Sequence, residues 1–170
     1  MKEEKENEFL TLLEQNMCII VKICRVYAFT THDREELTSD IIFELWKSYP
    51  KFQGESKFST WLYRVALNIA LKTKRKRDNN KLIFVQEIVT DASRLYDTPD
   101  DNRAEINRLY TCIERLTPIN KAIILLYLDE KPSHEIASIT GISTTNVTTR
   151  LSRIREQLKQ CMIKNNRHGN

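Results

Sequence analysis

A chain of 170 residues with 27 Lys and Arg against 23 Asp and Glu carries a formal charge of +4, too slight to name a partner by itself. Its length allows one domain or two small ones, each with a modest core. Three Gly, four Pro and long apolar-periodic segments argue against a sheet-based enzyme; the sequence has no run of about 18 apolar residues of the kind that spans a membrane, and the N-terminus lacks a signal-peptide core, so a cytoplasmic protein without membrane insertion is expected.

Over residues 6–29, Phe9, Leu13, Met17, Ile20, Cys24 and Tyr27 recur every three or four positions and mark one face of a long helix. Asp33, with Glu36 three residues on, has the spacing of a capping box and opens a second helix that runs to about Ser48. Leu37, Ile41 and Leu45, flanked by Ile42 and Trp46, form its apolar face. Glu35, Asp40 and Glu44 make an acidic ridge, which taken alone reads as a solvated face. A loop over residues 49–57 is punctuated by Pro50 and Gly54.

Ser59 or Thr60 caps a third helix over residues 61–77, with Leu62, Val65, Ala66, Ile69 and Ala70 facing inward. Phe58, Trp61 and Tyr63 cluster at its start. Lys72, Lys74, Arg75, Lys76 and Arg77 crowd its end, more cations than a helix dipole calls for. Rings accept unstacked bases and cations hold phosphates, so this helix is a candidate for contact with an opened DNA strand.

Periodicity fades after residue 77, and the acidic stretch that ends in Thr98-Pro99 reads as a linker between two domains. Thr98 and Pro99 then start a helix whose Ile106, Leu109, Ile113 and Leu116 face inward, and Thr117-Pro118 repeats the device for Ile119, Ile123, Leu126 and Tyr127. Residues 132–158 have helix-turn-helix grammar: Ile136, Ala137 and Ile139 on a short helix, Gly141 to end it, Ser143 to cap the next. In that second helix Val147, Leu151, Ile154 and Leu158 face inward, leaving Thr145, Asn146, Thr148, Thr149, Arg150 and Arg153 outward; such a face can lie in a DNA major groove, and spacing alone fits an ordinary helical hairpin of an all-α bundle as well. Beyond Ile163 the tail is expected to fray. Cys18, Cys24, Cys112 and Cys161 show no C-x-x-C spacing and fall on or near apolar faces, so they are expected as buried free thiols, in neither disulfide nor zinc. His134, early in the helix-turn-helix, is expected at the surface or on the phosphate side.

The order of these parts resembles a bacterial RNA polymerase sigma factor of the extracytoplasmic-function group, the short kind with only regions two and four. The resemblance is carried by residues 36–46 (ELTSDIIFELW) and 52–68 (FQGESKFSTWLYRVALN), the latter similar to the family's F-x-G-x-x-x-F-x-T-W-L-Y-R-I-A-x-N. It is carried further by residues 116–118 (LTP), 123–128 (IILLYL), 135–137 (EIA) and 141–143 (GIS). It implies an all-α fold of two small helical domains joined by a linker: region two over residues 1–80, the linker over 81–99, and region four, with the helix-turn-helix, over 100–165.

The same resemblance implies the partners: core RNA polymerase, met at its β′ clamp and β flap, promoter DNA, and an anti-sigma factor. It places Glu36, Leu37, Asp40, Ile41 and Glu44 on polymerase. It places Phe52, Gln53, Gly54, Ser56, Lys57, Phe58, Trp61, Tyr63, Arg64, Asn68, Lys72, Lys74, Arg75, Lys76 and Arg77 at the minus-ten element, with Trp61 equally readable as core. Ser143, Thr144, Thr145, Asn146, Thr149, Arg150 and Arg153 fall to the minus-thirty-five element. This chain has Ser39-Asp40 where the family usually has Gln-Glu, and Thr148 where it often has Lys. No catalytic residue, metal site or cofactor is expected. A free-standing helix-turn-helix regulator is the alternative, but it leaves residues 52–68 without a task; a recombinase would need a larger catalytic domain with clustered Arg.

Overall fold

The computed structural model describes residues 2–80 and 100–167, with side chains described over 4–73 and 103–164. Among these the chain is all-helical: α1 (Lys2–Tyr27), α2 (Thr31–Ser48), a short 3-10 turn (Tyr49–Lys51), α3 (Phe58–Asn80), α4 (Asp100–Glu114), α5 (Pro118–Leu128), α6 (Ser133–Thr140) and α7 (Thr144–Arg167). The chain divides into two compact units, Met1–Glu87 and Ile88–Asn170. The expected linker, with Thr98 and Pro99, lies outside the described residues.

In the first unit α1, α2 and α3 all pack against one another. Lying between two partners, α1 buries a wider face than one stripe supplies: Ile19, Ile23 and Val26 join Phe9, Leu13, Ile20, Cys24 and Tyr27, while Met17 stays half-buried. The cap of α2 is Thr30, not Asp33. Its hydroxyl accepts the backbone N–H of Asp33 at 3.0 Å, so Asp33 occupies the first turn, where its charge suits the helix dipole. Arg34 closes the corner, donating from Nε to the Ala28 carbonyl at 3.1 Å. On α3 the buried face is rotated from the expected one. Tyr63 and Leu67 point inward with Leu62, Ala66 and Ala70, and Val65 and Ile69 are only half-buried. Two apolar stripes on α3 compete, and a fully buried Tyr removes more ring area from water than a Val.

In the second unit α7 packs against α4, α5 and α6. From Lys121 to Leu126, α5 is buried all round, which makes it the centre of this unit. Thr117 precedes Pro118 at the helix start as expected, though its side chain makes no cap hydrogen bond. At the other end Tyr127 is turned out, as is Ile106 on α4, which has its main neighbour on one side only. Leu109 and Leu116 are half-buried, leaving Ile113 and Cys112 as the buried pair of that helix. Of the tail expected to fray, the residues up to Arg167 continue α7, and residues 168–170 lie outside the described residues.

The cysteines depart most from expectation. Cys112 on α4 and Cys161 on α7 form a disulfide, Cα atoms 5.9 Å apart, across 49 residues of sequence. Spacing along the chain says nothing about a bridge between two packed helices, so the missing C-x-x-C carried no information about it. Cys18 is exposed. Only Cys24 is the expected buried thiol; it accepts a hydrogen bond from the Thr38 hydroxyl at 3.3 Å, and burial pushes its pKa up.

Candidate nucleic-acid interface

On α2 the expected polymerase residues separate by depth. Glu36 and Asp40 are exposed, and Glu44, half-buried, forms an ion pair with Lys47 at 3.7 Å. Leu37 and Ile41 are buried to within 2% and are core residues, a correction that follows from their place on the same stripe as Leu45. Phe43 stands out from this helix at 66% exposure, three residues after Asp40 and seven after Glu36. A large exposed ring that shares a helix face with two carboxylates is absent from the residues expected from sequence, although position 43 lies off the apolar stripe on any helical wheel.

Around the following loop six aromatic rings pack together. Phe9 meets Trp46 and Tyr49 at centroid distances of 5.2 and 4.9 Å, and Trp61 lies 5.0 Å from Phe52 and 5.4 Å from Phe58. Tyr49 stacks on Phe52 at 6.2 Å; its hydroxyl pKa is raised by desolvation and by the Glu8 carboxylate, to which it hydrogen-bonds. The expected residues Phe52, Phe58 and Trp61 are therefore brought together, with Phe9, Trp46 and Tyr49 as unforeseen backing. Phe58 is nearly sealed in this cluster, and Tyr63 is fully buried one turn on, so neither ring is presented to a strand. Phe52 and Trp61 are half-buried, each with part of its ring at the surface.

The loop between them exposes Gln53, Gly54 and Lys57, with Ser56 half-buried. Gly54 has φ +73°, a conformation that an L side chain resists even though open space surrounds it. From the same end of α3, Arg64, Asn68 and Lys72 follow at intervals of four and are all exposed, forming one polar line along the helix. The side chains of Lys74, Arg75, Lys76 and Arg77 lie outside the described residues.

The helix-turn-helix is built as its sequence implies. Gly141 ends α6 in the left-handed region, φ 74°, and the Ser143 hydroxyl accepts the Asn146 N–H at 3.2 Å to start α7. Val147, Leu151, Ile154 and Leu158 are buried. Thr144, Thr145, Asn146, Thr149 and Arg153 are exposed, and so is His134. The hydroxyls of Thr148 and Thr149 both donate to the Thr145 carbonyl at 2.9 Å, so they face outward mainly with lone pairs and methyl groups. Arg150 is not free. Its Nε donates to Oδ1 of Asn146 at 2.8 Å, and its Nη1 to Oδ1 of Asn120, on α5, at 3.0 Å. Asn120 is absent from the residues expected from sequence, since only the fold brings position 120 to position 150.

Two segments of the chain match known families: residues 12–80 match Sigma-70 region 2, and residues 106–158 match Sigma-70, region 4. Among curated relatives, the ECF RNA polymerase sigma factor SigW of Bacillus subtilis (strain 168) is 23% identical over 94% of this chain and 91% of its own. The ECF RNA polymerase sigma-E factor of Haemophilus influenzae is 29% identical over 75% of this chain and 74% of its own. Among solved structures, the sigma factor RpoE in complex with the anti-sigma factor NepR, from Bartonella quintana, superposes with a TM-score of 0.74 at 17% identity, covering 91% of this chain and 96% of that one. CnrH in complex with the cytosolic domain of CnrY gives 0.66 at 19% identity, covering 94% and 90%.

Proposed function

The chain belongs to the extracytoplasmic-function group of RNA polymerase sigma factors, transcription initiation factors, and from that premise we propose how its own residues divide the work. Residues 1–80 act as the unit that meets core polymerase and the minus-ten element, 81–99 as the linker, and 100–165 as the unit that reads the minus-thirty-five element. Core polymerase docks on the exposed part of α2, where Glu36 and Asp40 supply charge and Phe43 the desolvated anchor. Leu37 and Ile41 support that face from beneath.

The observation that carries the minus-ten assignment is the pairing of two half-buried rings with a polar line. Phe52 and Trp61 border the exposed loop, and Arg64, Asn68 and Lys72 run on from it. Extruding a base costs a few kcal/mol, and stacking on a protein ring returns about 1–3 kcal/mol per base. Two rings can therefore hold one or two bases out of the stack and no more. Opening a whole transcription bubble needs the polymerase as well, which suits a factor that works only as part of the holoenzyme.

The remaining assignments follow. Nucleotidyl transfer and its metal belong to polymerase, and this chain contributes binding and strand trapping with no covalent step of its own. Among the described residues no helix is long and apolar enough to cross a membrane, which suits work in the cytoplasm. One structural neighbour is in complex with an anti-sigma factor and another with the cytosolic domain of a second protein, which supports an anti-sigma partner for this chain too.

The test is promoter-specific initiation with the purified chain and bacterial core polymerase on DNA upstream of its own operon, beside DNA binding by the chain alone. Strand opening and transcripts only with core present are the expected result. Tight, salt-sensitive binding to an inverted repeat without core, and no gain in initiation with it, would establish a free-standing regulator.

A further inference from the structure

One guanidinium joins the reading helix to its neighbour. Arg150 spends Nε on Asn146, one turn earlier in α7, and Nη1 on Asn120, in the first turn of α5. We propose that Asn120 is a specificity-determining positioning residue, which contacts no base itself but fixes the Arg150–Asn146 pair in the orientation that reads the minus-thirty-five element. The inference rests on the assignment of that pair to DNA reading made above.

Both anchors of this bridge are stiff. Asn120 follows Pro118 at the start of α5, a helix rooted in the core from Lys121 to Leu126, and the Lys121 N–H closes the first turn on the Thr117 carbonyl at 3.0 Å. On the other side, Val147 and Leu151 seat α7 on either side of Arg150. An unheld Arg samples many rotamers and reaches phosphates as readily as bases. Held at two of its five N–H groups, this one keeps a fixed plane and has three donors left.

The effect on Asn146 is more specific. A carboxamide can present donor and acceptor in either order by turning over, and adenine is read only in one order. A guanidinium has donors and no acceptor, so the Arg150 Nε–H holds the amide oxygen of Asn146 toward itself. That oxygen keeps a second lone pair, and both amide hydrogens stay free. Asn146 is thereby presented in a single sense, and Asn120 is the residue outside α7 that holds the arrangement in place. Without Asn120, Arg150 is released toward the phosphates: total affinity is kept while base preference is lost.

The experiment uses the full chain with bacterial core polymerase and a promoter library randomised over the minus-thirty-five element, read as relative initiation for each base. Asn120→Ala is expected to flatten preference about fivefold or more at the base positions that Arg150→Ala also flattens. Asn120→Asp, which keeps an acceptor oxygen, is expected to retain that preference. In an Arg150→Ala background, Asn120→Ala is expected to add nothing, whereas a general structural role would lower initiation in both backgrounds. Should Asn120→Ala shift the melting temperature, Asn120→Leu, close to Asn in size but without an acceptor, supplies the same comparison. A wild-type profile for Asn120→Ala beside a flattened one for Arg150→Ala overturns the inference and leaves the reading helix intact. A wild-type profile for Arg150→Ala removes the DNA-reading assignment itself, and the role of Asn120 falls with it.

Discussion

Phe58 and Tyr63 in the first unit, and Thr145 and Asn146 in the second, all lie on stretches assigned to DNA, yet the first two are buried and the second two exposed. The first unit builds its proposed strand trap from rings that also close its core. Phe52 and Trp61 are packed against Phe58, and through it against Phe9 on α1. The second unit keeps the tasks apart on one helix, with Val147, Leu151, Ile154 and Leu158 buried and Thr144, Thr145, Asn146, Thr149 and Arg153 exposed between and before them; of the proposed readers, Arg150 is the one tied to another helix, through Asn120. On the proposed assignments, promoter preference at the minus-thirty-five element can therefore change at little expense in stability, while changes around the aromatic loop act on stability and strand capture together.

The largest effect expected from this contrast is in the first unit. Phe58→Ala should lower its unfolding free energy by about 3–5 kcal/mol, as for other buried rings, and Thr145→Ala should stay within about 0.5 kcal/mol in chemical denaturation. Equal effects would erase the distinction. Next comes the bridge between α4 and α7. Replacing Cys112 and Cys161 with Ser, or reducing them, should destabilise the second unit by about 2–4 kcal/mol, seen as a drop in melting temperature in the oxidised protein that vanishes under reductant. An unchanged melting temperature would mean that helix packing alone holds α4.

A smaller effect tests whether the first unit has any surface where function is separable from fold. Phe43→Ala should weaken core polymerase binding about tenfold, in the range of a hot-spot side chain, and leave the melting temperature unchanged because the ring is exposed. Loss of stability with no loss of binding would return Phe43 to a structural role. The smallest effect is a gain. Glu130, between α5 and α6, has φ +57°, so Glu130→Gly should stabilise the second unit by up to about 1 kcal/mol in denaturant titration.

Much of this was legible in the sequence because helix grammar is local. Gly141 and Ser143 announce the turn of the helix-turn-helix, and the spacing of Val147, Leu151, Ile154 and Leu158 fixes which side of α7 is buried. Errors arose where two local solutions compete. Thr30 and Asp33 both have the chemistry of a cap, and α3 carries two apolar stripes of similar strength, so the choice between them falls to tertiary packing. The family pattern across residues 36–46 implies a docking helix without separating exposed side chains from those that lie beneath them, which is why Leu37 and Ile41 are expected beside Glu36 and Asp40. Out of reach altogether were contacts between distant positions: Cys112 with Cys161, and Asn120 with Arg150.

The bridge has a mechanical consequence for the far end of α7. From Cys161 back to Thr145 is sixteen residues of continuous helix, about 24 Å at 1.5 Å per residue. The helix is held at both ends, near its tail by the bridge and near its head by buried Val147 and Leu151 and by the Arg150–Asn120 contact, so both oppose a tilt; one degree would move one end against the other by about 0.4 Å, close to the whole spread of about 0.5 Å over which an N–H···O contact keeps its strength. The seating of the tail against α4 is thus one of the contacts that set the aim of the threonines and Asn146 at the head, and on the proposed assignment a change there alters promoter choice without touching any side chain proposed to face a base.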